Sequence, residues 1–194
     1  MNKRDFLAGA AAVAALPAAP SAWAKEAQAA PALLTVGGEV GKTNRGPLDK
    51  VRDQMMGKHG QQFSRAMAFT AADLQRMPAS RFRVTLEYDG QPHQVSGPLV
   101  ETVLKAAGVD LRAPLRVTLW AVDGYSVPLP ITTVRDNRMI VATHLDGQPM
   151  ALGGLGPQWA IHDADKLPAF KDKPLNERFA SCPWGLYFIG VAAA

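Results

Sequence analysis

The sequence predicts an α+β domain in which short strands outnumber helices. Apolar and polar residues alternate strictly over residues 81–88, which is the period of a half-buried strand. The dipeptide Asp-Gly, a frequent hairpin turn, occurs three times. Only two or three segments carry the apolar spacing of a helix. This pattern is typical of small antiparallel or mixed sheets with a few helices packed on them.

The first elements of the domain are predicted to be a strand and two short helices. Residues 33–40 are apolar enough for a first strand. A short helix with one apolar face follows, lined by Leu48, Val51 and Met55. The segment Thr70-Ala71-Ala72-Asp73 matches a capping box, so a second helix is expected to begin there and to end before Pro78.

A hairpin and a longer helix are predicted next. Asp89-Gly90 predicts a type I′ turn after the alternating strand, with residues 91–95 as the return strand. Ser96-Gly97-Pro98 predicts a helix with proline at its first position, closed by Gly108. The apolar stripe of this helix comprises Leu99, Val100, Val103, Leu104 and Ala107.

The C-terminal half is predicted to be mostly strand. Strands are expected at residues 115–122, 139–145, 148–152 and 159–161. Asp146-Gly147 would join the second and third of these as a hairpin. Residues 184–191 are apolar on both faces, which predicts a central strand covered on both sides.

The N-terminus has the organisation of an export signal. Lys3 and Arg4 precede an apolar run over residues 6–16, and Ser21-Ala22-Trp23-Ala24 supplies an A-x-A-type cleavage site after Ala24. A membrane anchor is disfavoured because the apolar run is short and is interrupted by prolines. Lys3-Arg4 also resembles a twin-arginine motif with its first arginine replaced, so both export routes stay open. We expect a periplasmic or secreted protein with a tether over residues 25–32 and one domain over residues 33–194.

Composition limits the classes of ligand and the disulfide pairings that can be expected for this chain. Cleavage after Ala24 of the 194-residue chain leaves 170 residues, and losing Lys3, Arg4 and Asp5 lowers the formal net charge from +4 to +3. This mild charge in an exported chain argues against nucleic acid as the ligand. Cys182, the single cysteine, has no partner for an internal disulfide. A buried, inert thiol is favoured over a reactive or intermolecular one.

One candidate site follows an apolar strand. Residues 117–122 enter the turn Asp123-Gly124, and Tyr125 and Ser126 follow at once, with Trp120 nearby. Functional side chains are often held on such loops at the end of a rigid strand. A binding loop and a plain hairpin tip are both open interpretations.

A second candidate is the glycine-rich segment 153–159, which contains Gly156 and Trp159. It is neither a P-loop nor a dinucleotide fingerprint, so anion binding and a tight connection stay open for it, as do stacking and core packing for Trp159. His93, beside the expected helix start, is a further candidate. The histidines have no metal-ligand spacing, no Ser-His-Asp set is evident, and Asp163 and Asp165 are expected to be solvated. We therefore predict no metal ligand and no catalytic residue.

Taken in order, several of these segments resemble the molybdopterin-binding domain of the sulfite oxidase superfamily, and most closely its small, exported, single-domain members. The resemblance covers residues 33–191. Its motifs are Ser96-Gly97-Pro98-Leu99, Val103–Gly108, Ala121–Tyr125, Ile140-Val141-Ala142, Asp146–Met150, Gly154–Pro157, Trp184-Gly185-Leu186 and Ile189-Gly190-Val191. It implies a mainly β, α+β fold that holds a pterin or molybdopterin-type ligand in a cleft. The candidate cofactor-binding residues are then His93, Trp120, Asp123, Tyr125, Ser126, Gly156 and Trp159.

The chain departs from the catalytic members of that superfamily at one position. Those members ligate molybdenum through a cysteine that precedes the helix start, and residues 86–93 contain none. Cys182 is expected to lie away from the cleft. The resemblance to small members that bind a reduced pterin and signal to a membrane partner therefore favours a non-catalytic pterin-binding protein. The alternatives are a molybdenum-cofactor-dependent oxidoreductase and an interaction module without a ligand.

Overall fold

The structure, a computed structural model, describes residues 30–194. The predicted export signal and most of the tether lie outside the described residues. The strands are β1 Ala32–Gly38, β2 Ala66–Thr70, β3 Ala79–Thr85, β4 Pro92–Pro98, β5 Leu115–Ala121, β6 Ser126–Pro130, β7 Ile140–Ala142, β8 His144–Leu145, β9 Gln148–Pro149, β10 Trp159–Ile161 and β11 Leu186–Ala193. The α-helices are α1 Gln54–Lys58, α2 Ala71–Arg76, α3 Val100–Ala106 and α4 Ile131–Asp136. The predicted α+β class is confirmed.

The largest sheet has five strands in the order β2-β1-β11-β5-β6. Only β1 and β11 run parallel, and the other neighbours are antiparallel. The predicted closing strand is therefore central, as expected from a segment that is apolar on both faces. β6 contains Pro128 and Pro130, which cannot donate ladder hydrogen bonds, and it lies at the edge of the sheet where this is tolerated.

Two smaller sheets complete the domain. β3, β4, β8 and β9 form a four-stranded antiparallel sheet, and β7 pairs with β10. One hydrophobic core joins all three sheets to α2, α3 and α4. It includes Leu34, Val95, Leu104, Val134 and Ile161, each at most 1% exposed. None of the helices within residues 30–194 has the length and apolarity needed to cross a membrane.

Two local predictions are confirmed in atomic detail. The Thr70 hydroxyl accepts a hydrogen bond from the Asp73 amide (3.2 Å), and the Asp73 carboxylate accepts one from the Thr70 amide (2.8 Å). This is the predicted capping box, and it orients α2 so that Leu74 is buried. Asp146 and Gly147 both have positive φ angles, +48° and +79°, as the predicted type I′ turn requires.

The Asp89-Gly90 turn differs from its prediction. The hairpin forms, but pairing stops at Thr85 and Pro92, and residues 86–91 make a wider turn. Of the two central residues only Gly90 has a positive φ, so this is not a type I′ turn. The Gly90 amide instead donates to the Leu86 carbonyl at 3.0 Å, and the Asp89 side chain accepts from the Gln91 amide at 2.9 Å.

The start of α3 is also corrected. Pro98 pairs with Ala79 as the last residue of β4, and the helix begins only at Val100. Gly97 is part of β4. The backbone of Val141 in β7 approaches β4 so closely at this residue that a side chain would collide with the Val141 carbonyl oxygen, and glycine is therefore required. The apolar stripe and the Gly108 terminus, with φ +76°, are as predicted.

The predicted apolar face formed by Leu48, Val51 and Met55 does not exist. Val51 is 79% exposed and Met55 is 40% exposed, because α1 begins only at Gln54. The preceding residues form a turn in which the Asp49 carboxylate accepts hydrogen bonds from the amides of Val51 and Arg52. Only Leu48 packs, against the small apolar cluster around Phe63 and Phe188. Strands β2 and β6 and helix α4 were not predicted.

Candidate functional site

The clearest candidate site is a cavity of about 260 Å³ where several connecting segments meet. The turn between β5 and β6, the β3–β4 turn and the segment just before β11 all contribute to it. Its most informative lining residues are Glu87, Tyr88, Asp123, Tyr125, Cys182 and Trp184. We call it the acidic cavity because the carboxylates of Glu87 and Asp123 line it. Pockets at such loop junctions are the usual place for a small-molecule site.

The β5–β6 turn holds Tyr125 at the edge of this cavity. The Ala121 amide donates to the Tyr125 carbonyl (2.9 Å), and the Gly124 amide donates to the Ala121 carbonyl (3.0 Å). Gly124 has φ +91°, the left-handed conformation that closes a three-residue hairpin loop. The Tyr125 hydroxyl donates to the Ala180 carbonyl at 2.6 Å. The ring is therefore fixed at both ends while half of its surface stays exposed.

Three aromatic side chains surround the opening of the acidic cavity. Tyr88, Tyr125 and Trp184 are 57%, 50% and 39% exposed, although each carries a large apolar ring. A single exposed aromatic residue is unremarkable, but three around one cavity form a contiguous apolar surface. Burial and the neighbouring Glu87 carboxylate raise the pKa of the Tyr88 phenol, so it stays a neutral hydrogen-bond donor. The rim can therefore contact the faces of a planar molecule.

Two polar side chains of the cavity carry negative charge and accept hydrogen bonds. Glu87 and Asp123 supply carboxylates, and Asn176 supplies an amide. Within the part of the chain that the structure describes, no Lys, Arg or His side chain lines this cavity. The Asp123 carboxylate is oriented by a hydrogen bond from the Tyr125 amide at 2.9 Å. The site is therefore suited to a neutral or cationic ligand that donates hydrogen bonds.

Cys182 forms part of the wall of the acidic cavity, which corrects the expectation that it would lie elsewhere. Cys182 is only 3% exposed, and burial raises the pKa of its thiol to about 12. The sulfur lies 3.5 Å from Nδ1 of His162, whose pKa burial lowers to about 4. The His162 Nε2 atom lies 3.2 Å from the Arg178 carbonyl oxygen. A neutral thiol thus faces a neutral imidazole, in line with the predicted buried cysteine.

Trp159 lies behind the cavity and not in it. It is 1% exposed, and its indole N–H donates to the Cys182 carbonyl at 2.8 Å. Its ring packs on Phe179 with the centroids 5.9 Å apart. The expected stacking face of Trp159 is therefore not available, since the core covers it. Gly156 is likewise structural, because a side chain there would collide with the backbone of Met150.

Three other predicted site residues lie outside the acidic cavity. Trp120 stacks on His59, with ring centroids 6.2 Å apart and an interplanar angle of 16°. Ser126 pairs with Trp120 in the β5–β6 ladder. His93 is held between two carboxylates, with Nδ1 2.6 Å from Asp146 and Nε2 2.8 Å from Asp89. Of the seven predicted residues, only Asp123 and Tyr125 line this cavity.

A second, larger cavity of about 340 Å³ lies beside the Ser96-Gly97-Pro98 segment, with Arg81 and His144 in its wall. None of the seven predicted site residues lines it, and no Phe, Tyr or Trp side chain among the described residues does. We prefer the acidic cavity because aromatic faces and oriented carboxylates converge there. Among residues 30–194, no three His, Cys, Asp or Glu side chains are grouped to hold a metal ion.

Comparison with known proteins supports the fold. No protein-family model and no curated protein sequence matches the chain. Among solved structures, the sulfane dehydrogenase SoxCD from Paracoccus pantotrophus is similar, with a TM-score of 0.54 and 14% sequence identity. The match covers 83% of this chain but only 38% of that one. The protein therefore has an α+β fold similar to part of that dehydrogenase, and it spans well under half of the enzyme chain that it resembles.

Proposed function

We propose that the protein is an exported pterin-binding protein that keeps an oxidoreductase-like fold without redox catalysis and reports its ligand to a membrane partner. The observation that carries the binding proposal is the acidic cavity, where three exposed aromatic rings surround two carboxylates. Export is inferred from the sequence of residues 1–24. The membrane partner is inferred from the resemblance to small pterin-binding members of the sulfite oxidase superfamily.

The chemistry of a pterin complements this cavity. A pterin is a flat bicyclic ring whose aminopyrimidinone edge presents N–H donors side by side, a pattern that a carboxylate can accept with both oxygens. Glu87 and Asp123 supply such carboxylates. Tyr125 and Trp184 supply aromatic faces for the ring, in place of the buried Trp159. The carboxylates can thus bind the edge of a pterin, and the aromatic rings can contact its faces.

A phosphorylated, metal-carrying molybdopterin fits the same residues poorly. A phosphate group requires cationic or N–H donors, and the acidic cavity offers two carboxylates and no described basic side chain. Burial raises the pKa of the Cys182 thiol to about 12, and no described basic side chain lines the cavity to stabilise its thiolate. We therefore assign no chemical step to a molybdenum cofactor.

A molybdenum-dependent oxidoreductase is the second candidate function. The observation that favours it is the position of Cys182, which lines the same cavity as Asp123 and Tyr125. Metal analysis of protein purified from its native host separates the two proposals. Stoichiometric molybdenum that disappears in Cys182→Ser would favour the oxidoreductase, and pterin without molybdenum would favour the binding protein.

The binding proposal is tested with a reduced pterin that has no phosphate group, using tryptophan fluorescence to follow the titration because Trp184 lies at the rim. We expect Asp123→Asn to weaken binding ~10-fold, since it removes a charged hydrogen-bond partner. The substitution keeps the oxygen that accepts from the Tyr125 amide, so the turn should survive. Asp136→Asn, at an exposed position on α4, is the matched control and should bind as the parent does. Failure of the parent to bind this pterin would contradict the proposal.

A further inference from the structure

A separate cavity of about 320 Å³ lies between β3, the end of α4 and the segment after β10. The residues that matter for its chemistry are Arg81, Phe82, Leu99, Arg138, Asp163 and Leu167. We call it the basic cavity. None of its residues lines the acidic cavity. We propose that it binds a small α-amino acid with an apolar side chain, held through both its carboxylate and its ammonium group.

Two guanidinium groups in this cavity have no carboxylate partner. Within residues 30–194, the side chains of Arg81 and Arg138 form no ion pair, whereas Lys166 pairs with Asp163 at 2.8 Å. Two free guanidinium groups beside one cavity are suited to a carboxylate, which each can bind with two parallel hydrogen bonds. The basic cavity thus has a place for a ligand carboxylate.

Arg138 occupies a position where glycine is usual. It follows the last turn of α4, where the Met139 amide donates to the Val134 carbonyl at 3.1 Å and the Arg138 amide donates to the Arg135 carbonyl at 2.9 Å. Its φ of +48° is left-handed, a conformation that costs a side chain free energy and costs glycine none. A residue retained against such a cost is a reason to look for a role of its side chain.

Asp163 presents a buried oxygen that lacks a donor. One carboxylate oxygen accepts from Lys166, while Oδ1 is buried and has no hydrogen-bond partner among the described residues. Leaving a buried acceptor unsatisfied is costly, so a donor from a ligand would be stabilising. An ammonium group supplies that donor. Asp163 and Asp165 were both expected from the sequence to be solvated loop residues. Both are partly buried, and Asp165 accepts a hydrogen bond from the Thr85 amide and pairs with Arg178, which corrects the expectation.

The rest of the basic cavity is lined by both polar residues, Ser80, Asn137 and Lys166, and apolar ones. Phe82, Leu99 and Leu167 are half-buried and contribute hydrocarbon surface between the polar groups. A ligand that uses this surface needs an aliphatic side chain beside its carboxylate and ammonium groups. Leucine combines all three features and is the simplest probe of the class. This inference does not depend on the proposed pterin function, because the two cavities share no residue.

Calorimetric titration of the full-length protein with L-leucine tests the inference. Two analogues each lack one of its charged groups: 4-methylpentanoate has no ammonium group, and 3-methylbutylamine has no carboxylate. We expect L-leucine to bind and each analogue to bind at least ~10-fold more weakly. Absence of L-leucine binding, or equal binding of either analogue, would overturn the proposal, and neither result depends on how a variant folds.

Variants then assign the binding to this cavity. Arg81→Gln and Asp163→Asn should each weaken L-leucine binding ~10-fold. Because Arg81 also lines the cavity of about 340 Å³, it is the loss of binding in Asp163→Asn that assigns the ligand to the basic cavity. Arg138→Gly should also weaken it while leaving the protein at least as stable, because glycine prefers the left-handed conformation. Arg83→Gln, two residues along β3 and outside the cavity, is the matched control. Unchanged binding in Arg81→Gln, or equal loss in Arg83→Gln, would contradict the assignment.

Discussion

The acidic cavity and the basic cavity have opposite electrostatic character. The acidic cavity combines Glu87 and Asp123 with an aromatic rim, whereas the basic cavity is lined by Arg81 and Arg138 together with apolar side chains. The formal net charge of the whole chain is only +4, so it describes neither site. The comparison shows that ligand charge must be inferred from the local set of side chains, since folding separates the charges that composition averages.

The largest expected effect separates the core behind the acidic cavity from the rim of that cavity. Trp159→Ala removes a 1%-exposed side chain and the donor to the Cys182 carbonyl, so we expect a loss of ~3–5 kcal/mol in the free energy of unfolding. Trp184→Ala truncates a 39%-exposed ring, and we expect a loss of about 1 kcal/mol or less together with weakened pterin binding. Urea denaturation measures both. Similar destabilisation by the two variants would show that Trp184 also belongs to the core.

The next prediction concerns the charge of the ligand. A pterin that carries a phosphate group should bind ~10-fold more weakly than the same pterin without it, because Glu87 and Asp123 repel the phosphate. Asp123→Asn should reduce this difference in affinity between the two pterins, because it removes one of the two negative charges. Arg81→Gln should leave it unchanged, since Arg81 lines the basic cavity. Fluorescence titrations of the two pterins measure the ratio, and a tighter complex with the phosphorylated pterin would contradict the acidic assignment.

The smallest effect is a pH dependence near the acidic cavity. Hydrogen bonds to Asp146 and then to Asp89 raise the pKa of His93, so the charged imidazole joins the β8–β9 turn to the β3–β4 turn that carries Glu87 and Tyr88. A raised folded-state pKa means that this stabilisation is fully present below the unfolded value of about 6.5. It is lost as the pH rises through the folded-state pKa.

Because these groups are largely exposed, the effect on stability should be modest. Proton NMR titration of His93 in the parent and in Asp146→Asn measures it directly. We expect Asp146→Asn to lower the pKa of His93, and His93→Gln to remove this part of the pH dependence of unfolding. A His93 pKa that does not respond to Asp146→Asn would show that His93 and Asp146 do not interact in solution.

The sequence predicted the features of the fold that depend on local pattern. The Thr70 capping box, the Asp146-Gly147 turn and the central strand in residues 184–191 each follow from neighbouring residues, and each is confirmed. The three Asp-Gly dipeptides mark the limit of this approach. All three form turns, but only one is type I′, because the pairing of the flanking strands decides how many residues each turn spans.

Much of the candidate site depended on long-range packing that a single sequence does not encode locally. Asp123 and Tyr125 were found because they end a strand. Tyr88 and Trp184 were read as strand residues, and neither segment shows locally that the chain leaves its strand there. Cys182 reaches the cavity because the segment before β11 folds back beside Tyr125. For the same reason Trp159, a candidate stacking residue, lies in the core, and Trp184, predicted to be a strand residue, lies at the rim of the cavity.

The most direct test of the proposed function is analysis of the protein purified from its native host, denatured to release any bound molecule. We expect fluorescence of a pterin without a phosphate group, in near-stoichiometric amount, and no stoichiometric molybdenum. Reconstitution with the same pterin should restore binding in the parent and less so in Asp123→Asn. Stoichiometric molybdenum, or no pterin in either native or reconstituted material, would contradict the assignment of the acidic cavity.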